Sequence, residues 1–226
     1  VYFTSLRPQA YRVYSTVNKG MWCCVGTGME NHSKYAHFAY THDGKSTLYV
    51  NLFLPSELSN STFGVKQDTK FPFDNKTRLT ITRGGTYAIA VRQPSWAAEG
   101  YAIKVNGTAV TTAATNGYVS ISRKWKVGDV IDVALPMQLR IEECPGLSRY
   151  IAFKYGPILL AATTGTDDLQ NEYAGEGRMD HAPGVVGTAK SISSSPLLIG
   201  DRAKLIDEVK LKDASTLTFT LPVRRN

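Results

Sequence analysis

Residues 47–54, TLYVNLFL, set leucine or valine at every second position, with Tyr49, Asn51 and Phe53 between them. A period of two belongs to a strand with one face in a core and the other outside it. The pattern recurs downstream. TRLTITR (77–83), TYAIAVR (86–92), YAIKVN (101–106), GYVSISR (117–123), VIDVALP (130–136), QLRIEE (138–143), RYIAFKYG (149–156) and PILLAA (157–162) follow, bounded by Gly, Pro or Asn. Asn106-Gly107 is a hairpin signal, and Lys126-Val127-Gly128-Asp129 marks a second turn. Many short strands with no helical pattern between them predict a mainly β fold, an antiparallel β-sandwich over residues 46–226. KLIDEVKLK (204–212) and TLTFTLP (216–222) read as two final strands returning to the sheet. Residues 164–200 are rich in Gly, Ser and Asp and too long for an ordinary connection, so a long irregular loop is expected there.

Upstream of the strands the regime changes. PQAYRVYS (8–15) reads as an extended arm, and MWCCVGTGMENHSKY (21–35) follows it. Thr27-Gly28-Met29-Glu30 has the spacing of a capping box, which predicts a helix starting at Thr27. Met29, His32, Ala36 and Tyr40 then recur at helical spacing, with Ser33 and Ala39 on the same stripe, and Asp43-Gly44 ends the run. On this reading Cys23 and Cys24 occupy a loop just before the helix. Unpaired amides and the positive end of the helix dipole there favour a thiolate.

The chain has 226 residues, enough for one large domain with an appendage, and its 42% hydrophobic and 20% charged residues suit a folded protein with a sizeable core. No apolar run approaches the roughly 18 residues a membrane helix needs, so no membrane partner is expected. The net charge of +7 is spread over isolated residues such as Arg7, Lys66, Arg92, Lys124 and Lys190. Only Arg224-Arg225 are adjacent, and without a patch or recognition motif no nucleic-acid partner is expected. The chain opens Val1-Tyr2-Phe3, with neither an initiator methionine nor a signal-like stretch. On this reading the chain was processed or cut from something longer and its location is unknown, with a periplasmic or extracellular one favoured.

Three cysteines are an odd number, which rules out a complete internal disulfide framework. Neighbouring cysteines bridge only with a strained backbone, so Cys23 and Cys24 are expected to stay reduced or to bind metal. Cys144, in a turn before a strand, reads as a half-buried free thiol. A zinc site needs about four ligands. Of the four histidines, His32 lies on the helix stripe and reads as a core residue, His37 and His42 straddle the helix end, and His181 falls in the long loop. A Cys23–His32 nucleophile–base pair is a second possibility, though no third, orienting member can be assigned. Trp22, Trp96 and Trp125 are either core residues or stacking surfaces for sugars. Glu30 is explained by capping, and Glu142 and Glu143 by an exposed strand end.

Taken in order, YFTSLRPQAYRVYS (2–15), MWCCVGTGMENHSKY, LYVNLFLPSEL (48–58), RQPSW (92–96), VNG (105–107), LPMQLRIEE (135–143) and YIAFKYGPILLAA (150–162) resemble glycoside hydrolase family 127 and its sister family 146. These include the β-L-arabinofuranosidases. The resemblance implies a zinc-dependent retaining hydrolase whose nucleophile is a zinc-held cysteine thiolate, in place of the usual pair of carboxylates. By position Cys23 is the nucleophile and a metal ligand, and Cys24 a second metal ligand. It further implies a glycan substrate containing L-arabinofuranose, of plant or microbial origin, and an N-terminal helical barrel that supplies the other ligands and the acid/base glutamate. Residues 1–43 would then be the end of that barrel, and residues 46–226 the accessory sandwich. By itself the chain is expected to be inactive and to bind zinc weakly or not at all. The alternative is a non-catalytic carbohydrate-binding or structural β-sandwich.

Overall fold

Leu48 and Val50 are fully buried while Thr47 and Tyr49 face outward, as the alternation requires. The strand is shorter than the pattern, however. It ends at Val50 because the backbone amide of Asn51 leaves the ladder to bond the Ala39 carbonyl, at 3.0 Å. The computed structural model describes residues 15–16, 19–20, 22–97, 99–163 and 198–222. The expected arm at 8–14 and most of the 164–200 loop lie outside the described residues.

Helix α1 (Cys23–Ala39) leads directly into β1 (Tyr40–His42), and β2 (Thr47–Val50), β3 (Ser56–Ser59), β4 (Gly64–Thr69), β5 (Lys76–Arg83) and β6 (Gly85–Arg92) follow. A 3-10 turn at Ser95–Ala97 precedes β7 (Ala102–Val105), β8 (Thr108–Ala109), β9 (Tyr118–Trp125) and β10 (Val130–Ala134). The protein is mainly β. One sheet runs β1-β2-β6-β9 and a second β3-β4-β5-β10-β7-β8. Among the described residues all strand pairings are antiparallel except β2 with β6, which is parallel, so the all-antiparallel expectation is corrected at that pair. It went unseen because the strands between β2 and β6 belong to the other sheet.

Both sheets turn their alternate residues into one core. Leu48, Val50, Ile89, Val91 and Val119 come from the first, Leu79, Ile81, Ile131 and Val133 from the second, and Phe53, Phe63 and Leu135 from connecting segments. Each such side chain contributes about 1.5–3 kcal/mol by leaving water. Sheet-to-sheet corners carry their own chemistry. At Lys126–Asp129 the chain crosses from β9 to β10 with Gly128 at φ +89. The Asp129 carboxylate accepts from the Lys126 amide (2.9 Å) and from Asn106 Nδ2 (2.9 Å), which hold its pKa below the usual range. Asn106 and Gly107 both have positive φ, the geometry an Asn-Gly hairpin demands.

A chain of hydrogen bonds also links the two sheets. Tyr40 Oη donates to Gln67 Oε1 (3.0 Å), and the buried Gln67 Nε2 donates to Thr77 Oγ1 (3.0 Å). Every member has a partner, which is the condition under which a buried polar network stabilises a fold.

Beyond Met137 the architecture changes. β11 (Leu139–Cys144), β12 (Leu147–Tyr155) and β13 (Ile158–Leu160) form an antiparallel meander, and β14 (Lys210–Asp213) pairs with β15 (Thr218–Thr220) as a separate hairpin. The final strands therefore do not rejoin the first sheets. Residues 202–208 are a helix, α2 (Arg202–Glu208), where a strand was expected. Asp201 caps it, its side chain accepting from the Ala203 amide at 3.0 Å, and Leu205 is its buried anchor. The Arg202 guanidinium bonds Glu143 and the Ser148 carbonyl. Strands β1, β3 and β4 had not been expected.

The chain divides into two units. One comprises residues 1–34, 162–200 and 223–226, and the other residues 35–161 and 201–222. No helix among the described residues is long and apolar enough to cross a membrane.

Candidate active site

The cysteine pair is not in a loop. The Trp22 carbonyl accepts from the amides of Val25 (3.0 Å) and Gly26 (3.4 Å), so the helix starts four residues earlier than the capping box suggested, with Cys23 and Cys24 as its first two residues. Thr27 is an interior residue. Its hydroxyl bonds back to the Cys23 carbonyl, at 3.1 Å, one turn toward the N-terminus. A threonine caps only when its own backbone is outside the helix, and here the helix has already begun at Cys23. The Cys23 thiol is free and exposed at the head of α1.

The expected companions are arranged along the same helix. Glu30 and His32 are both exposed. At about 1.5 Å per residue, Glu30 stands roughly 10 Å and His32 roughly 13 Å along the axis from Cys23. Neither can share an ion or a proton with that thiol, which removes the Cys23–His32 pair. His32 is also not a core histidine, and the expected stripe is buried only at its end: Met29 is 66% exposed and Ser33 and Ala36 are exposed, while Ala39 is buried. Tyr40 has left the helix for β1. His42 accepts the Gly44 amide at Nδ1 (3.0 Å), in the β1–β2 turn.

Two thiols are suitable donors for zinc, but zinc takes about four ligands. Among the described residues no three His, Cys, Asp or Glu side chains come together. These residues alone do not make a zinc site. Glu142 pairs with Lys154, which lowers its pKa, and Glu143 pairs with Arg202, so both have structural partners. Cys144 is a half-buried free thiol, as expected. His181 lies outside the described residues.

The tryptophans are not exposed sugar platforms. Trp125 is in the core and donates from Nε1 to the Tyr87 carbonyl (3.0 Å), while Trp96 stacks flat on Phe71 at 5.7 Å. Tyr49 and Tyr118, which sequence reading did not single out, line a cleft of about 400 Å³ on the outer face of the first sheet. Their signal was parity: both sit at outward positions of alternating strands.

Residues 47–137 match the family model described as beta-L-arabinofuranosidase, GH127 middle domain. Residues 140–225 match one described only as a domain of unknown function. The boundary between them falls where the two-sheet core gives way to the meander. The solved structure of Ara127N-Se, a GH127 beta-L-arabinofuranosidase from Geobacillus stearothermophilus T6, is 23% identical with a TM-score of 0.54, covering 61% of this chain and 23% of that one. Another, described as a glycoside hydrolase, is 25% identical with a TM-score of 0.55, covering 61% of this chain and 24% of that one. A GH127 beta-arabinofuranosidase is 30% identical over 54% of this chain and 23% of that one, with a TM-score of 0.48. The chain thus spans about a quarter of the length of these structures. No curated protein matches it.

Proposed function

Starting from a chain whose residues 47–137 match a GH127 middle domain, we propose that it is the C-terminal part of a zinc-dependent retaining glycoside hydrolase acting on glycans that contain L-arabinofuranose. The observation that carries this reading is an exposed thiol in an adjacent cysteine pair at the head of the helix that precedes that domain along the chain. Cys23 is the nucleophile. Its sulfur attacks the anomeric carbon, the C–O bond to the leaving group breaks, and the departing oxygen takes a proton from an acid outside this chain. Water then attacks the same carbon and gives its proton to the group that acted as the acid, the C–S bond breaks, and the thiolate returns with net retention. Cys23 and Cys24 would hold the zinc together with ligands from beyond the described residues, and bound zinc would keep the attacking sulfur ionised near neutral pH. The isolated chain is inactive on this view, because it brings two ligands of about four.

The test is Cys23→Ser in the intact enzyme, assayed on an aryl β-L-arabinofuranoside. Turnover should fall by at least about a thousandfold with the melting temperature unchanged. Retention of wild-type turnover would remove Cys23 from the role.

A further inference from the structure

We propose that the cleft on the outer face of the first sheet is a second binding site, for a neutral saccharide chain. Its floor is Ala90, which is only 2% exposed although it faces outward. The register aligns Tyr49, Ala90 and Ser120 in one row across β2, β6 and β9. Ala88 and Ala90 thus keep the middle strand low beside Tyr49 of β2, and their partners on β9, Ser122 and Ser120, are small as well. Tyr49 and Tyr118 meet edge to face with centroids 5.3 Å apart, and Tyr118 Oη is fixed by a 2.8 Å bond to Asn51 Oδ1. Segment 112–116 closes the far wall. Its Asn116 and Gly117 both have positive φ, and Thr115 and Tyr118 exchange backbone bonds of 2.8 and 3.1 Å, so the wall is a tight hairpin with fixed geometry.

Chemistry selects the occupant. Every lining side chain is an aromatic ring, a hydroxyl, an amide or a methyl, and none carries a formal charge. This is not the general character of the surface. The depression on the outer face of the second sheet, about 800 Å³, is lined by Asp68, Lys70, Lys76, Arg78, Lys104 and Asp132. An uncharged cleft with rigid aromatic walls and a ring of hydroxyls suits a ligand with apolar C–H faces and many hydroxyls, and its volume lies within the range of small-molecule sites. Choosing a sugar among neutral ligands rests on the arabinofuranosidase reading above. The site uses none of the residues assigned to catalysis.

Titration of the 226-residue chain with an L-arabinofuranosyl trisaccharide, followed by NMR, tests the assignment. Saturable shifts should appear at Ala90 and Ser120. Tyr49→Ala and the exposed Ser120→Glu should each weaken binding roughly tenfold, with an oligogalacturonate of equal length failing to compete. Ser120→Glu covers the case in which loss of Tyr49 disturbs the fold. No saturable binding, binding unchanged in both variants, or equal binding of the acidic sugar would overturn the proposal. The assay requires no turnover. If the chain binds while intact Cys23→Ser still hydrolyses, the catalytic reading falls and the cleft stands; the reverse pair of results does the opposite.

Discussion

Residues 40–137 and residues 139–222 are comparably rich in strand signals, yet they solve burial differently. In the first region two sheets face each other, and Val50, Leu79, Ile81, Ile89 and Ile131 are withdrawn completely from water. In the second, no residue of β11, β12, β13, β14 or β15 is fully buried, and Leu159 is 60% exposed. Strand formation and core formation are therefore separable. Alternation specifies a pleated ribbon, but stability comes when a second layer covers it.

The sharpest way to break this contrast is to truncate one residue in each region. Ile131→Ala should cost about 2–5 kcal/mol, because it opens a cavity between two sheets. Leu159→Ala should stay within about 0.5 kcal/mol, because its site is already wet. Urea unfolding of the two variants measures both, and equal losses would refute the distinction. An effect between these two is expected from Tyr40→Phe, which strips the donor from the buried Gln67 acceptor and should cost about 1–3 kcal/mol. Its partner variant, Tyr40→Phe with Gln67→Leu, should recover part of that loss, since no orphaned acceptor remains.

The smallest effect is one of pH. In the β1–β2 turn the Asp43 carboxylate accepts from the amides of Thr47, Lys45 and Ser46, which pull its pKa down to about 2. A depressed folded-state pKa contributes stability above the ordinary carboxylate value, and that contribution is lost as pH falls toward the folded value. Asp129 acts in the same direction. The first region should thus weaken between about pH 4 and pH 2. Asp43→Asn should flatten that slope, and unfolding curves collected across this range would reveal it.

Much of this was legible in the sequence. Apart from the two-residue β8, the strands from β5 to β13 lie close to the expected runs, because those runs alternate apolar with polar residues. Strands β3 and β4 escaped notice since they are polar: β4 presents Gln67 to the interior, and only the hydrogen-bonded network makes that tolerable. Residues 204–208 read as strand although their neighbours supplied a helix cap at Asp201. The head of α1 was misplaced because a Thr-x-x-Glu spacing cannot reveal whether the threonine's own backbone is already helical. At the candidate site, the cysteine pair was legible and the remaining zinc ligands were not, since a ligand set is assembled by the fold and carries no fixed spacing along the chain.

The parallel neighbours β2 and β6 have one more effect. Two strands running the same way side by side oblige the chain to leave the sheet and come back, and here the detour is spent making three strands of the facing layer. The layers are stitched through each other, so neither can be finished first. Such a weave commits widely separated residues at once, which favours slow, all-or-none assembly over piecewise growth.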